Sequence, residues 1–115
     1  MMTFQADHHQ ISEVAADAPA EGEVARLEVG GRFVLLARVE GVLYAVSDRC
    51  THGRASLSHG WLDGCQIECP LHQGRFDIRN GMPTSPPCTE PLDVYQVVER
   101  DGQAIVRSAE PRDLK

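Results

Sequence analysis

Five glycine-containing pairs break this chain at short intervals: Gly30-Gly31, Glu40-Gly41, Asp63-Gly64, Asn80-Gly81 and Asp101-Gly102. Glycine takes a positive φ without steric cost, and Asn or Asp does so more readily than other side chains. Such pairs therefore suit the tight turns that join adjacent antiparallel strands. The runs between them are short and rich in apolar residues. From Glu23 to Val29, Leu27 and Val29 fall on one face and Arg26 and Glu28 on the other, the period of two that a half-buried strand requires. Phe33 to Val39 reads as a more deeply buried strand, and Val42 to Val46, Val94 to Glu99 and Ala104 to Arg107 as further strands. No segment sustains a helical period with caps, and Ile11 to Ala18 is expected to make a turn or two of helix at most. The expected fold class is all-β, an antiparallel sandwich or open barrel.

With 115 residues the chain has room for one domain, residues 1–115, and too few for two. Its middle differs from its flanks. From about residue 48 to 91 it is denser in Gly, Pro, Cys and His, and its strands, Gln66 to Glu68 and Arg75 to Ile78, are short. This segment reads as a loop-rich excursion between two strand-rich halves. Pro83, Pro86, Pro87 and Pro91 stiffen its return path and cannot join a central ladder. The net charge is −6, which leaves no electrostatic footprint for nucleic acid. Residues 49–79 carry Arg49, Arg54, Arg75 and Arg79 against Asp63, Glu68 and Asp77, so that segment stands at +1 and the remainder at −7. A near-neutral segment on an acidic body suits either a partner-facing surface or plain solvation. No apolar run approaches the length that crosses a bilayer. The N-terminus has neither a basic start followed by an apolar run nor a twin-arginine motif, so the expectation is a cytoplasmic protein without a membrane partner.

Within the excursion stand Cys50-Thr51-His52 and, after 16 intervening residues, Cys69-Pro70-Leu71-His72. Each short loop offers one thiolate and one imidazole. A hairpin from Trp61 to Cys69, turning at Asp63-Gly64, would set the loops side by side, and Gly53, Gly60 and Gly74 would let backbone pass close to an inorganic centre. In a reducing compartment such clustering means metal or redox chemistry more often than disulfides. Zinc accepts a Cys₂His₂ set, but zinc fingers keep like ligands together in C-x₂₋₄-C and H-x₃₋₅-H pairs. Here each loop mixes them, which suits a centre of two irons with His₂ replacing Cys₂ on one iron.

These residues carry a resemblance. Cys50-Thr51-His52-Gly53 and Cys69-Pro70-Leu71-His72-Gln73-Gly74-Arg75-Phe76-Asp77 closely resemble the cluster loops of Rieske-type [2Fe–2S] ferredoxins of bacterial aromatic-ring-hydroxylating dioxygenase systems. The likeness extends to Glu21-Gly22-Glu23, to Tyr44-Ala45-Val46 and to Pro87-Cys88-Thr89-Glu90-Pro91-Leu92. It is weakest before Glu21 and after Arg107. It implies a Rieske fold with a loop-rich cluster-binding subdomain and one [2Fe–2S] cluster. Cys50 and Cys69 would hold the inner iron, and His52 and His72 the outer one. It also implies that Met82, Pro83, Pro86 and Pro87 form a third, shielding loop.

Departures from another Rieske branch are informative. Cytochrome-bc complexes carry an extra Cys in each loop, joined as a disulfide; Ala55 and Leu71 stand there in this chain. That branch also supplies a Ser and a Tyr hydroxyl, where this chain has Gly74 and Phe76. Hydrogen bonds to cluster sulfur favour the reduced state, so their loss implies a potential near the low end of the Rieske range, roughly −150 mV. An added electron should settle on the imidazole-bound iron, which neutral ligands compensate least. That puts His52 and His72 on the electron's path.

Other residues have plainer expectations. Cys65 and Cys88 read as core or near-surface thiols, His8, His9 and His59 as exposed, and Trp61 as hairpin packing. Arg54, Gln73 and Arg75 flank the ligands, either on a docking face or on a solvated rim. A terminal oxygenase needs a second iron site, with two His and a carboxylate in a substantial domain. The chain after His72 is short and contains no His. No G-x-G-x-x-G unit is present to bind a dinucleotide. The resemblance therefore implies a monomeric one-electron carrier, not an enzyme, that meets a ferredoxin reductase and a terminal oxygenase transiently in aromatic hydrocarbon catabolism. The alternatives are a Rieske-like small subunit of a larger reductase, such as nitrite reductase, and a non-redox zinc-binding module.

Overall fold

The structure is a computed structural model and describes residues 12–51, 55–71 and 73–108. Among the described residues ten strands run in chain order: β1 (Glu13–Asp17), β2 (Val24–Val29), β3 (Arg32–Val39), β4 (Val42–Ser47), β5 (Trp61–Asp63), β6 (Gln66–Glu68), β7 (Arg75–Asp77), β8 (Pro83–Ser85), β9 (Val94–Arg100) and β10 (Gln103–Arg107). A 3-10 turn at Leu57–His59 precedes β5. The larger sheet has the order β1-β10-β9-β4-β3-β2, antiparallel throughout. Its two outer strands, β1 and β2, lie against each other, so it curls into a nearly closed barrel. The smaller sheet, β5-β6-β7-β8, is the heart of the excursion.

The hairpins obey the turn chemistry. Glu40 and Gly41 both have positive φ (53° and 80°), as do Asp101 and Gly102 (55° and 79°). Two consecutive positive φ values give the turn whose twist matches that of the flanking strands. In the β5–β6 hairpin Asp63 pairs with Gln66, leaving Gly64 and Cys65 as the connection.

Strand β3 organises the interior. Val34 and Leu36 belong to one buried cluster, with Val29, Ala45, Tyr95, Ala104 and Val106. Leu35, Ala37 and Val39 belong to a second, with Val46, Leu57, Ile67, Phe76, Ile78 and Leu92. Alternate side chains of a strand point to opposite faces, so this one strand feeds two cores. The first lies within the large sheet, and the second joins that sheet to the excursion.

One difference from expectation stands out. The segment expected to turn as a helix holds β1, whose Val14 and Ala16 pair opposite Val106 and Ala104. The neighbouring strand's free edge outweighs a weak local preference. Pro83–Ser85 forms a short strand in keeping with the expectation that its proline takes no place in a central ladder. It is β8, at the edge of the small sheet, where a missing N–H costs nothing.

Candidate metal centre

Two loops hold the expected thiols, and each closes on itself. In the first, Arg49 bridges to Ser56, the Cys50 N–H donates to the Ala55 carbonyl at 3.0 Å, and the Leu57 N–H to that of Asp48 at 2.6 Å. In the second, between β6 and β7, the Cys69 N–H donates to the Gly74 carbonyl at 2.8 Å. The Gln73 N–H returns to the Cys69 carbonyl at 3.0 Å. Gln73 takes a left-handed φ of 64° to make that return. Cys50 and Cys69 are both buried at the bases of these loops.

A third segment touches both. The Thr51 hydroxyl donates to the Glu90 carbonyl at 2.8 Å, tying it to the first loop. Pro87 and Cys88 press on the second: a Cβ placed on Gly74 would overlap the Cys88 sulfur and come 3.4 Å from Pro87 Cδ. This proline-rich segment, expected as a shield, thus packs on both ligand loops.

Asp48 is the residue that sequence reasoning missed. It is the buried charged group of the described core. Its carboxylate accepts the Ser58 N–H at 2.8 Å and the Ser56 hydroxyl, and Arg26 Nε lies 3.3 Å away. Arg26 is itself held over the Phe33 ring, 3.8 Å from its centroid. The carboxylate therefore clips the far end of the Cys50 loop back onto the strand that starts it. The only hint in the sequence was an acid directly before a ligand loop.

The other candidates divide. Cys88 is a buried core thiol, as expected, and it joins Cys50 and Cys69 in one cluster of buried residues. Burial first, and then the neighbouring Cys50 sulfur, pushes its thiol up. Cys65 packs at the margin of that core. No disulfide joins any of the four cysteines, all of which are described. His59 is exposed. Trp61 is 58% exposed, more open than hairpin packing implied. Arg75 spans Glu68 and Asp63 at 2.9 and 3.1 Å, stapling β5, β6 and β7 together instead of standing free on a rim. His8, His9, His52, Arg54 and His72 lie outside the described residues. Among the described residues no three or more His, Cys, Asp or Glu side chains are grouped as metal ligands, and the described half of the expected set is the thiol pair. Two buried cysteines at the bases of closed loops, unlinked by a disulfide, fit thiolate ligation of an iron–sulfur cluster.

A model of the Rieske [2Fe-2S] domain matches residues 9–96, a span containing both ligand loops. The chain belongs to the Rieske [2Fe–2S] domain family and carries one cluster of that type. Within the family it is similar to ferredoxins. It is 46% identical over 93 residues to ferredoxin CarAc of Metapseudomonas resinovorans, covering 80% of this chain and 87% of that one. It is 44% identical over 87 residues to the ferredoxin component of the naphthalene 1,2-dioxygenase/salicylate 5-hydroxylase systems of a Ralstonia species, covering 76% and 84%. Among solved structures, the ferredoxin in a complex of reduced oxygenase and oxidised ferredoxin in carbazole 1,9a-dioxygenase superposes with a TM-score of 0.80. That match is 41% identical and covers 86% of this chain and 95% of that one. The relatives are named as electron-carrying components of dioxygenase systems, which places this chain among carriers and not among catalysts or zinc modules. No helix among the described residues is long and apolar enough to cross a membrane.

Proposed function

We propose that this chain is the ferredoxin component of a bacterial aromatic-ring-hydroxylating dioxygenase system, with its [2Fe–2S] cluster ligated by Cys50, His52, Cys69 and His72. When bound, the cluster supplies a one-electron redox couple. The chain's own residues supply the rest. Cys50 and Cys69, buried at the bases of two closed loops, bring the thiolates from the protein side. The family resemblance gives the imidazoles of His52 and His72 to the outer side. Asp48, Arg75 and the third segment hold these loops in place, so that gaining or losing an electron need not move the backbone. The observation that carries the reading is this burial of the thiol pair within a family match that spans both loops.

On this reading the chain is a single domain and works as a monomer in the cytoplasm. It takes one electron from a ferredoxin reductase and gives it to a terminal oxygenase through transient contacts. The test is direct. The purified holoprotein should contain two irons per chain, absorb in the visible, and show a low-temperature EPR signal on reduction. Each of Cys50→Ser, His52→Ala, Cys69→Ser and His72→Ala should abolish that signal. Added to a reductase and an oxygenase encoded beside it, the protein should restore NAD(P)H-dependent dihydroxylation of an aromatic substrate. A colourless protein with one metal ion per chain would overturn the proposal.

A further inference from the structure

A loop clip needs an acceptor at position 48, and an amide oxygen would serve; a negative charge is more than the clip requires. Asp48 is 2% exposed and stands two residues before Cys50. Its side-chain partners are all donors: the Ser58 N–H at 2.8 Å, the Ser56 hydroxyl, and Arg26 Nε at 3.3 Å. The loop returns onto the same residue through the Leu57 N–H, which donates to the Asp48 carbonyl, and Leu57 packs in one buried cluster with Cys50 and Cys69. The carboxylate and the thiol pair therefore share a loop and its core. The compensating charge is placed differently. Arg26 stands on β2, its side chain is 40% exposed, and its guanidinium lies over the Phe33 ring. Water screens an exposed charge strongly and a buried one much less. At the ligand loops the pair is not neutral, because the field of the carboxylate outlasts that of the guanidinium.

Resting on the carrier reading above, we propose that Asp48 is an electrostatic determinant of the redox centre: its buried charge disfavours reduction of the cluster, and Arg26 partly offsets it. The reduced state holds one more electron than the oxidised, so a fixed negative charge beside a ligand loop raises the energy of the reduced state more. A second cause of a low potential thus joins the two missing hydroxyl donors. Coulomb's law at the effective dielectric of protein interiors makes such an effect about tenfold in the reduction equilibrium, which is about 59 mV for a one-electron couple.

The experiment measures midpoint potential, EPR spectrum and thermal unfolding for the holoprotein and for Asp48→Asn and Arg26→Met. Asp48→Asn keeps the shape and an acceptor, removes the charge, and should favour reduction by about tenfold. Arg26→Met keeps an apolar stem, leaves the carboxylate less compensated, and should disfavour reduction by about threefold, less than tenfold because Arg26 is open to water. Both variants should melt below the wild type. A merely structural role would therefore move both potentials the same way or not at all, whereas a charge and its counter-charge move them in opposite directions. Should Asp48→Asn fail to hold its cluster, Arg26→Met decides alone: a lowered potential supports the proposal, and a raised or unchanged one overturns it. With normal Rieske spectra in all three proteins, any pattern other than a rise in the first variant and a fall in the second would overturn the electrostatic role while leaving the carrier reading intact. A wild-type protein without the Rieske spectrum would overturn the carrier reading itself.

Discussion

Asp48→Ala is the substitution expected to loosen the cluster site without touching a ligand. The carboxylate is buried and accepts two hydrogen bonds from the Cys50 loop. Ser56 keeps a second partner in Ser58 Oγ at 2.9 Å, so its loss is partial. The Ser58 N–H loses a charged acceptor, and hydrogen bonds to charged groups are worth about 1.5–3 kcal/mol. The Arg26 contact adds little. Its side chain is 40% exposed, and pairs that open to water contribute about 1 kcal/mol at most. The sum is about 3 kcal/mol. Unfolding entropy scales with chain length, so each kcal/mol moves the melting temperature of a domain this size by about 4 °C, and the expected fall is about 12 °C. Asp48→Asn, whose amide oxygen can still accept the Ser58 N–H, should lose about half of that. Arg26→Met should lose less than about 4 °C. Melting of the holoprotein, tracked by far-ultraviolet circular dichroism and by bleaching of cluster absorbance, reads all three. Equal losses for Arg26→Met and Asp48→Ala would refute the reasoning, because the ion pair and not the loop clip would then be the stabilising contact.

Gly60→Ala should cost about 1–3 kcal/mol, since a Cβ there would overlap the Glu68 carbonyl oxygen, and overpacking has costs of that order; urea titration measures it. Acid should destabilise the protein through Asp77, Glu99 and Glu21. Arg79 holds Asp77 below the usual carboxylate range, Arg38 does the same for Glu99, and the Gly41 and Glu40 amides do so for Glu21. Folded values below unfolded ones give stability that is full above about pH 5 and lost as pH falls through the depressed values. Asp77→Asn should therefore flatten the acid limb of a stability–pH curve. Stripping the cluster with chelator and reductant should abolish hydrogen-exchange protection at Ile67, Phe76 and Ile78 before it does so at Val34 and Leu36, because the first three share their core with the thiol pair.

Much of this architecture is legible in local pattern. Leu27 and Val29 alternate against Arg26 and Glu28, and β2 forms there. The β5–β6 hairpin forms as expected, but it turns one residue later than Asp63-Gly64, at Gly64-Cys65. The thiol and imidazole spacing alone selected the two loops that the family match spans. What escaped was long-range. β1 has a weak alternation, Val14 and Ala16 between short neighbours, and it is a strand because β10 offers an edge nearly ninety positions away. Asp48 looks like any surface acid until β2 brings Arg26 to it and the loop returns Ser56 and Ser58. Cys88 stands 38 positions from Cys50, and no periodicity connects them. Spacing reports on neighbours along the chain, and these contacts are set by how sheets close.

The two-faced strand β3 has a consequence for how such a protein works. Its odd-numbered side chains brace the thiol-bearing half while its even-numbered ones anchor the barrel, so the two halves share a single stiff beam. A charge arriving on one side meets a frame that cannot relax without disturbing the other. On the carrier reading, little nuclear rearrangement would accompany each redox event, and the resulting low reorganisation energy would let electrons hop quickly even when the driving force between partners is small.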